Sequence, residues 1–226
     1  MRYTYLLIDL FSVILPFAYS FDSKMRFYTR LKYFLPGLFF TAFFFLVWDY
    51  FKTKYGVWSF NDKYIVGIRF FGMPIEEYLF FFAIPYACTF IYESLGYYSK
   101  RRIFPDNTKY IIWIASGLMF IASFFFLHRV YTFSVLFLLG LTFPLSTFIL
   151  KKEKLDRFLQ MYFISIIPML IVNGLLTALP VVIYDNSQNL GIRVGTIPVE
   201  DFLYSAIMLL MNVAIYEWNM KRQISN

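Results

Sequence analysis

Seven apolar stretches, each close to the length of a membrane-crossing helix, leave this chain few ways to fold. They run over roughly 3–20, 33–51, 75–95, 109–127, 130–150, 158–179 and 199–219. About 20 apolar residues span a bilayer as a helix. Lipid offers no hydrogen-bond partner to an open backbone, so such stretches must be helical. The composition agrees: 60% of the residues are hydrophobic and 15% are charged, against about half and a quarter in soluble domains. Only His128 and Arg129 divide the fourth stretch from the fifth, which predicts a tight turn. The two longer connections, about 52–74 and 180–198, carry Gly, Asn, Asp and Pro and read as loops.

The net charge of +7 does not point to nucleic acid. The basic residues fall in short clusters between apolar runs, where lipid headgroups attract them. Counted on alternate ends of the helices, seven lie on one side, among them Arg2, Lys52, Arg69, Arg129 and Arg193. Fourteen lie on the other, among them Lys24, Arg26, Arg30, Lys100, Lys154, Arg157, Lys221 and Arg222. Basic residues mark the cytoplasmic face, so the N-terminus and both long loops are expected outside and the C-terminus in the cytoplasm. Ala18-Tyr19-Ser20 has the small residues of a signal-peptide cleavage site, but Asp9 and the four basic residues that follow favour an uncleaved helix.

A repeat fixes the architecture. At a constant offset of 124 residues, Gly67-Ile68-Arg69 returns as Gly191-Ile192-Arg193, and Pro74-Ile75-Glu76-Glu77 as Pro198-Val199-Glu200-Asp201. Leu79 returns as Leu203, Tyr92-Glu93 as Tyr216-Glu217, and Asp49 meets Asn173. Rare acidic residues recur at one gap-free offset, which apolar composition alone does not produce. The expected fold is an all-α polytopic membrane protein with seven transmembrane helices, arranged as two parallel three-helix repeats plus a linking helix. The expected divisions are 1–100, 101–128 and 129–226. Parallel repeats are related by an axis along the membrane normal and place their site at the interface between them.

Charged groups inside a bilayer are costly and usually functional. Asp49, Glu76, Glu77, Glu200 and Asp201 fall at one level in the outer half of the membrane, and these are the candidate site residues. An acid in the first turn after Pro also favours the helix dipole, but one acid per helix would suffice for that. Glu93 and Glu217 lie 16 residues beyond Glu77 and Asp201, about 24 Å deeper at 1.5 Å per residue, where basic residues await them. Neighbouring residues on a helix point about 100° apart, so one acid of each pair can face the interface while the other is held elsewhere. Desolvation and like-charge repulsion keep such an acid protonated. A protonated acid beside a carboxylate, in an aromatic pocket, suits general acid–base work on a membrane-dissolved substrate. Proton-coupled transport would use the same ingredients.

The doubled P-x-E-[ED] motif resembles that of the flavin-independent lycopene cyclases, which occur as two small membrane subunits in some bacteria and as tandem fusions elsewhere. Tyr3-Thr4-Tyr5-Leu6, Trp48-Asp49, Gly56-Val57-Trp58 and Gly195-Thr196-Ile197 extend the resemblance over nearly the whole chain. The resemblance implies a fusion of both subunits in a bacterial inner membrane. It implies non-redox cyclisation of the linear ψ-ends of lycopene to ionone rings, with β-carotene as the expected product. It also implies a lipid-soluble carotenoid as substrate and no cofactor, which fits the lack of a G-x-G-x-x-G motif. Glu76, Glu77, Glu200 and Asp201 then become the acid and base, with Glu76 or Glu200 as expected proton donor and Asp49 as a further candidate. Membrane lipids are expected partners, and homo-oligomers or contacts with other carotenoid enzymes stay open. The alternatives are a proton-coupled small-solute transporter and, behind it, a membrane prenyltransferase, for which Asp-rich diphosphate motifs are missing.

Overall fold

The computed structural model describes residues 1–99 and 101–224, so Lys100, counted above among the basic residues, lies outside the described residues. Seven helices account for the seven apolar stretches. They are α1 (Thr4–Tyr19), α2 (Leu31–Lys54), α3 (Ile75–Tyr98), α4 (Thr108–Ser123), α5 (Val130–Ile149), α6 (Lys152–Ala178) and α7 (Val199–Ile224). Six of them, α2 to α7, are long and apolar enough to cross a membrane. The short member is α1, whose 16 residues reach about 24 Å at 1.5 Å per residue, less than the ~30 Å hydrocarbon core.

The two long connections are more ordered than the loops expected for them. They hold β1 (Trp58–Phe60), β2 (Arg69–Phe70) and β3 (Met73–Pro74) in the first, and β4 (Val182–Tyr184), β5 (Arg193–Val194) and β6 (Ile197–Pro198) in the second. The pairs β2–β3 and β5–β6 are hairpins. In the second, Gly195 takes a φ of +62°, the left-handed conformation that glycine adopts at no steric cost and that a two-residue hairpin turn needs. β1 and β4 pair antiparallel across the repeats, with Trp58 opposite Tyr184, Ser59 opposite Ile183 and Phe60 opposite Val182. Ser59 and Ile183 are themselves matching residues, so a local two-fold runs between them.

Helix packing follows the same two-fold. α1 lies on α3 as α5 lies on α7, while α2 packs on α7 and α6 on α3. The two repeats are therefore parallel and exchange their second helices. α2 and α7 approach closely at Gly37, where a Cβ would lie 3.2 Å from the Asn212 carbonyl oxygen. α4 belongs to neither repeat and packs on α5, where Gly140 leaves room for Phe120. The buried core is largely aromatic and aliphatic and runs along the repeat interface through Phe34, Phe45, Phe81, Tyr92, Phe158 and Tyr216. The two ends of the bundle differ. One carries the strands and the acidic pairs; the other carries Arg30, which pairs with Glu93, and Lys154, 2.8 Å from Glu217.

Candidate active site

The acidic pairs open α3 and α7, and the helical turn sends the two members of each pair to different tasks. The first members hold the loops that precede them. Glu76 accepts the backbone N–H of Val66 at 2.6 Å. Glu200 accepts the N–H of Leu190 at 2.7 Å and the Thr132 hydroxyl at 2.6 Å. The second members turn inward. Glu77 and Asp201 line a cavity of about 330 Å³, and Asp49 of α2 joins them there. Those three acids are the charged residues of its wall; the rest is mainly aromatic and aliphatic side chains of α1, α3, α6 and α7. Glu76 and Glu200, the expected proton donors, do not line this cavity; each gives one oxygen to backbone, and its other oxygen is buried without a partner. Of the five candidate residues, the fold brings together Asp49, Glu77 and Asp201.

Each inward acid is held by phenols. The Tyr5 hydroxyl donates to Glu77 at 2.6 Å, the Tyr204 hydroxyl to Asp49 at 2.6 Å. Asp201 accepts from Tyr131 at 2.6 Å and from Tyr184 at 2.9 Å, with the Asn173 amide 3.5 Å away. The carboxyls of Asp49 and Glu77 line the same cavity and lie near each other. Two bare carboxylates so placed repel, and a proton shared between them would relieve that repulsion. The site therefore has two unlike parts: a neighbouring pair of carboxyls, Asp49 and Glu77, and a single carboxyl, Asp201, surrounded by donors. Around them the ring of Trp58 meets Tyr131 at 5.2 Å, Tyr184 at 5.8 Å and Tyr204 at 6.4 Å between centroids. Aromatic ring faces that line a cavity can stabilise a cation held within about 6 Å of them.

The cavity lies to one side of the two-fold. On α2 and α3, Phe45 packs on Phe81 with centroids 6.0 Å apart, and both rings are buried. The matching residues on α6 and α7 are Met169 and Ser205, joined only by a 3.5 Å contact from hydroxyl to sulfur. Both line the cavity. Two phenyl rings fill the space between helices in one repeat, and their smaller counterparts leave it open in the other.

The remaining charges sort cleanly. Arg69 donates to the Gly72 and Phe60 carbonyls and pairs with Asp62 at 2.6 Å. Arg193 donates to the Thr196 carbonyl and to Asn186 and lies over the Tyr184 ring. Neither arginine pairs with an inward acid; both tie down hairpins. Glu93 and Glu217 meet basic residues, and Glu217 also accepts from Tyr92 at 2.6 Å, as expected of acids at that end. Asp9 is 2% exposed and both of its carboxyl oxygens lack a partner. Lys52, counted above as a loop-side cation, is buried; it donates to the Val130 carbonyl at 3.0 Å and to Ser134, with the Tyr131 ring 5.1 Å away.

The tyrosines were the residues missed. With 19 Tyr in the chain, nothing singles out four of them. One signal was present but displaced. Tyr5 and Tyr131 play the same part, and their N–H groups donate to the carbonyls of Tyr64 and Gln188. Those two acceptors keep the offset of 124, whereas the tyrosines are 126 apart. The second repeat is two residues shorter between its first and second helices, so a gap-free comparison slides past the match.

A family model for lycopene cyclase matches this chain twice, over residues 2–95 and over residues 128–219. The chain belongs to the lycopene cyclase family. It is an enzyme of carotenoid cyclisation, and its substrate class is a lipid-soluble carotenoid. The two matched stretches lie on either side of α4, and each carries one acidic pair and the phenol that holds its inward member. No curated protein matches the chain, and no solved structure does.

Proposed function

We propose that this protein converts the linear ψ-ends of lycopene to β-ionone rings, forming β-carotene, and that Asp49, Glu77 and Asp201 carry the proton transfers. The support is the arrangement of the inward acids, a neighbouring pair and a single donor-surrounded carboxyl, within one apolar cavity. The Asp49–Glu77 pair delivers its proton to the terminal carbon–carbon double bond of the ψ-end. The cation so formed is attacked by the neighbouring internal double bond, which closes a six-membered ring and moves the charge into it. Trp58, Tyr131, Tyr184 and Tyr204 shield that cation with ring faces while the apolar wall excludes water, which would otherwise trap it as an alcohol. Asp201 takes a proton from the ring, leaving its double bond. One proton enters and one leaves, so no redox partner is consumed.

Tyr131 and Tyr184 position Asp201, as Tyr5 and Tyr204 position the pair. Glu76 and Glu200 serve the site indirectly, by fixing the loops from which α3 and α7 start. We place the acids toward the outer face of a bacterial inner membrane, with the N-terminus outside and the C-terminus in the cytoplasm, because Arg30, Lys154 and Arg157 gather at the opposite end. The divisions at 100/101 and 128/129 set α4 apart as a linker. Expression in a lycopene-producing bacterium tests the function: the cells should turn from red to orange, with cyclic carotenoid by chromatography. Lycopene alone, with the folded protein present in the membrane, would contradict it.

A further inference from the structure

The cavity has a mouth, and its position says how substrate arrives. Most of the wall is buried or partly buried, but four lining residues are exposed, and all four belong to α1 and α6. Phe11 is 75% exposed, Leu15 60% and Ile171 55%, with Pro168 beside them. Among the described residues, no hydrogen bond joins α1 to α6; the polar contacts of α1 run to α3 and to the first loop. The rim is apolar on both sides and so faces hydrocarbon. The acids line the same cavity and are buried, whereas the rim residues are exposed.

We propose that the substrate enters sideways from the bilayer, end first, through the slot between α1 and α6, and that one end group occupies the cavity while the rest of the polyene stays in the slot and the lipid. This rests on the cavity being the cyclisation site. The volume supports it. About 330 Å³ is at the small end of ligand sites, which run from about 300 to 1,000 Å³, and a polyene of forty carbons does not fit inside. The counterpart space in the other repeat is filled by Phe45 and Phe81, so the second end of the same molecule cannot be served at the same time. Two consequences follow. The enzyme recognises a linear isoprenoid end and is indifferent to the far end. A bicyclic product needs release, reversal and rebinding, so the monocyclic compound appears first as a free intermediate.

The test uses the full chain in membranes with Phe11→Cys, Ile171→Cys and, as a control on the lipid face of α5, Leu145→Cys. Cys88 is buried, and the unsubstituted protein carried through the same treatment accounts for any reaction there. Each variant is its own reference, with ring formation compared before and after treatment; if neither the variants nor the unsubstituted protein forms rings, the proposed function fails rather than the portal. After reaction with a bulky maleimide, ring formation should be lost at positions 11 and 171 and kept at 145. Full ring formation by labelled Phe11→Cys and Ile171→Cys proteins would overturn the portal. A second measurement needs no substitution: a substrate with one end already cyclised should be converted at the same rate per linear end as lycopene, which is about half the rate per molecule. Rejection of the half-cyclised substrate would overturn the end-first model.

Discussion

The α2–α3 and α6–α7 contacts come from the same ancestral unit and do opposite things. In the first, Phe45 and Phe81 fill the space between helices, and Phe45 also meets Tyr204 at 4.9 Å, so the helices close up. In the second, Met169 and Ser205 stand at the matching places, and although the Tyr162 hydroxyl of α6 donates to the Phe202 carbonyl of α7 at 2.7 Å, the smaller side chains leave the cavity between the helices. The acids differ in the same sense. The closed side supplies Asp49 and Glu77 as neighbours in the cavity wall; the open side supplies Asp201, with Asn173 where the other repeat has Asp49. On the proposed mechanism, a duplicated unit has become one site, with the proton donor on one repeat and the receiving carboxyl on the other. The lesson is that the internal repeat locates the site but its violations define it.

The largest effect should come from the inward acids. Glu77→Gln and Asp201→Asn should each lower ring formation per folded molecule by about 10²–10⁴-fold, the usual worth of a general acid or base. Glu76→Gln and Glu200→Gln should act differently: each weakens a buried bond to backbone worth about 1.5–3 kcal/mol, lowering thermal stability while the folded fraction stays active. Equal loss of turnover from inner and outer acids would break the division of labour.

The next effect tests the open side itself. Met169→Phe combined with Ser205→Phe transplants the aromatic pair of the closed side. Chromatography of the pigments should show ring formation falling by about 10²-fold, since a shift of 1 Å in reacting groups can cost that much. Cavity filling commonly adds about 0.5–2 kcal/mol of stability, so the variant should melt no lower than its parent. Undiminished activity would mean the chemistry happens elsewhere. The smallest effect should come from the phenols. Tyr5→Phe and Tyr131→Phe each remove one donor to a carboxyl, and about tenfold in rate corresponds to the lower end of a hydrogen bond to a charged group. A larger loss from Tyr131→Phe than from Asp201→Asn would reverse their assigned roles.

How much of this could be read beforehand follows from what each signal depends on. The helices and their order were legible because crossing lipid demands long apolar runs and leaves the chain no alternative. The acidic pairs were legible because acids are rare here and recur at one spacing. Which member of each pair faces inward was not, because it depends on the rotation of α3 and α7 about their axes, fixed by the N–H groups of Val66 and Leu190 that Glu76 and Glu200 accept. The closed and open sides were hidden for a related reason. In a chain with 30 Phe, the change from Phe45 and Phe81 to Met169 and Ser205 looks like ordinary drift until the helices are set side by side. Lys52 was misplaced because counting charges assumes that basic residues at a helix end meet headgroups, and this one folds back against Ser134 and Tyr131.

The most direct test of the central claim follows the proton. Lycopene-containing membranes with the protein, equilibrated in heavy water, should yield rings that each carry one deuterium, delivered by the exchanged Asp49–Glu77 pair and retained when Asp201 removes a different hydrogen. Mass spectrometry of the products reads this directly. Rings formed without deuterium would mean that the hydrogen moves within the substrate, and the assignment of these carboxyls as its source would be wrong.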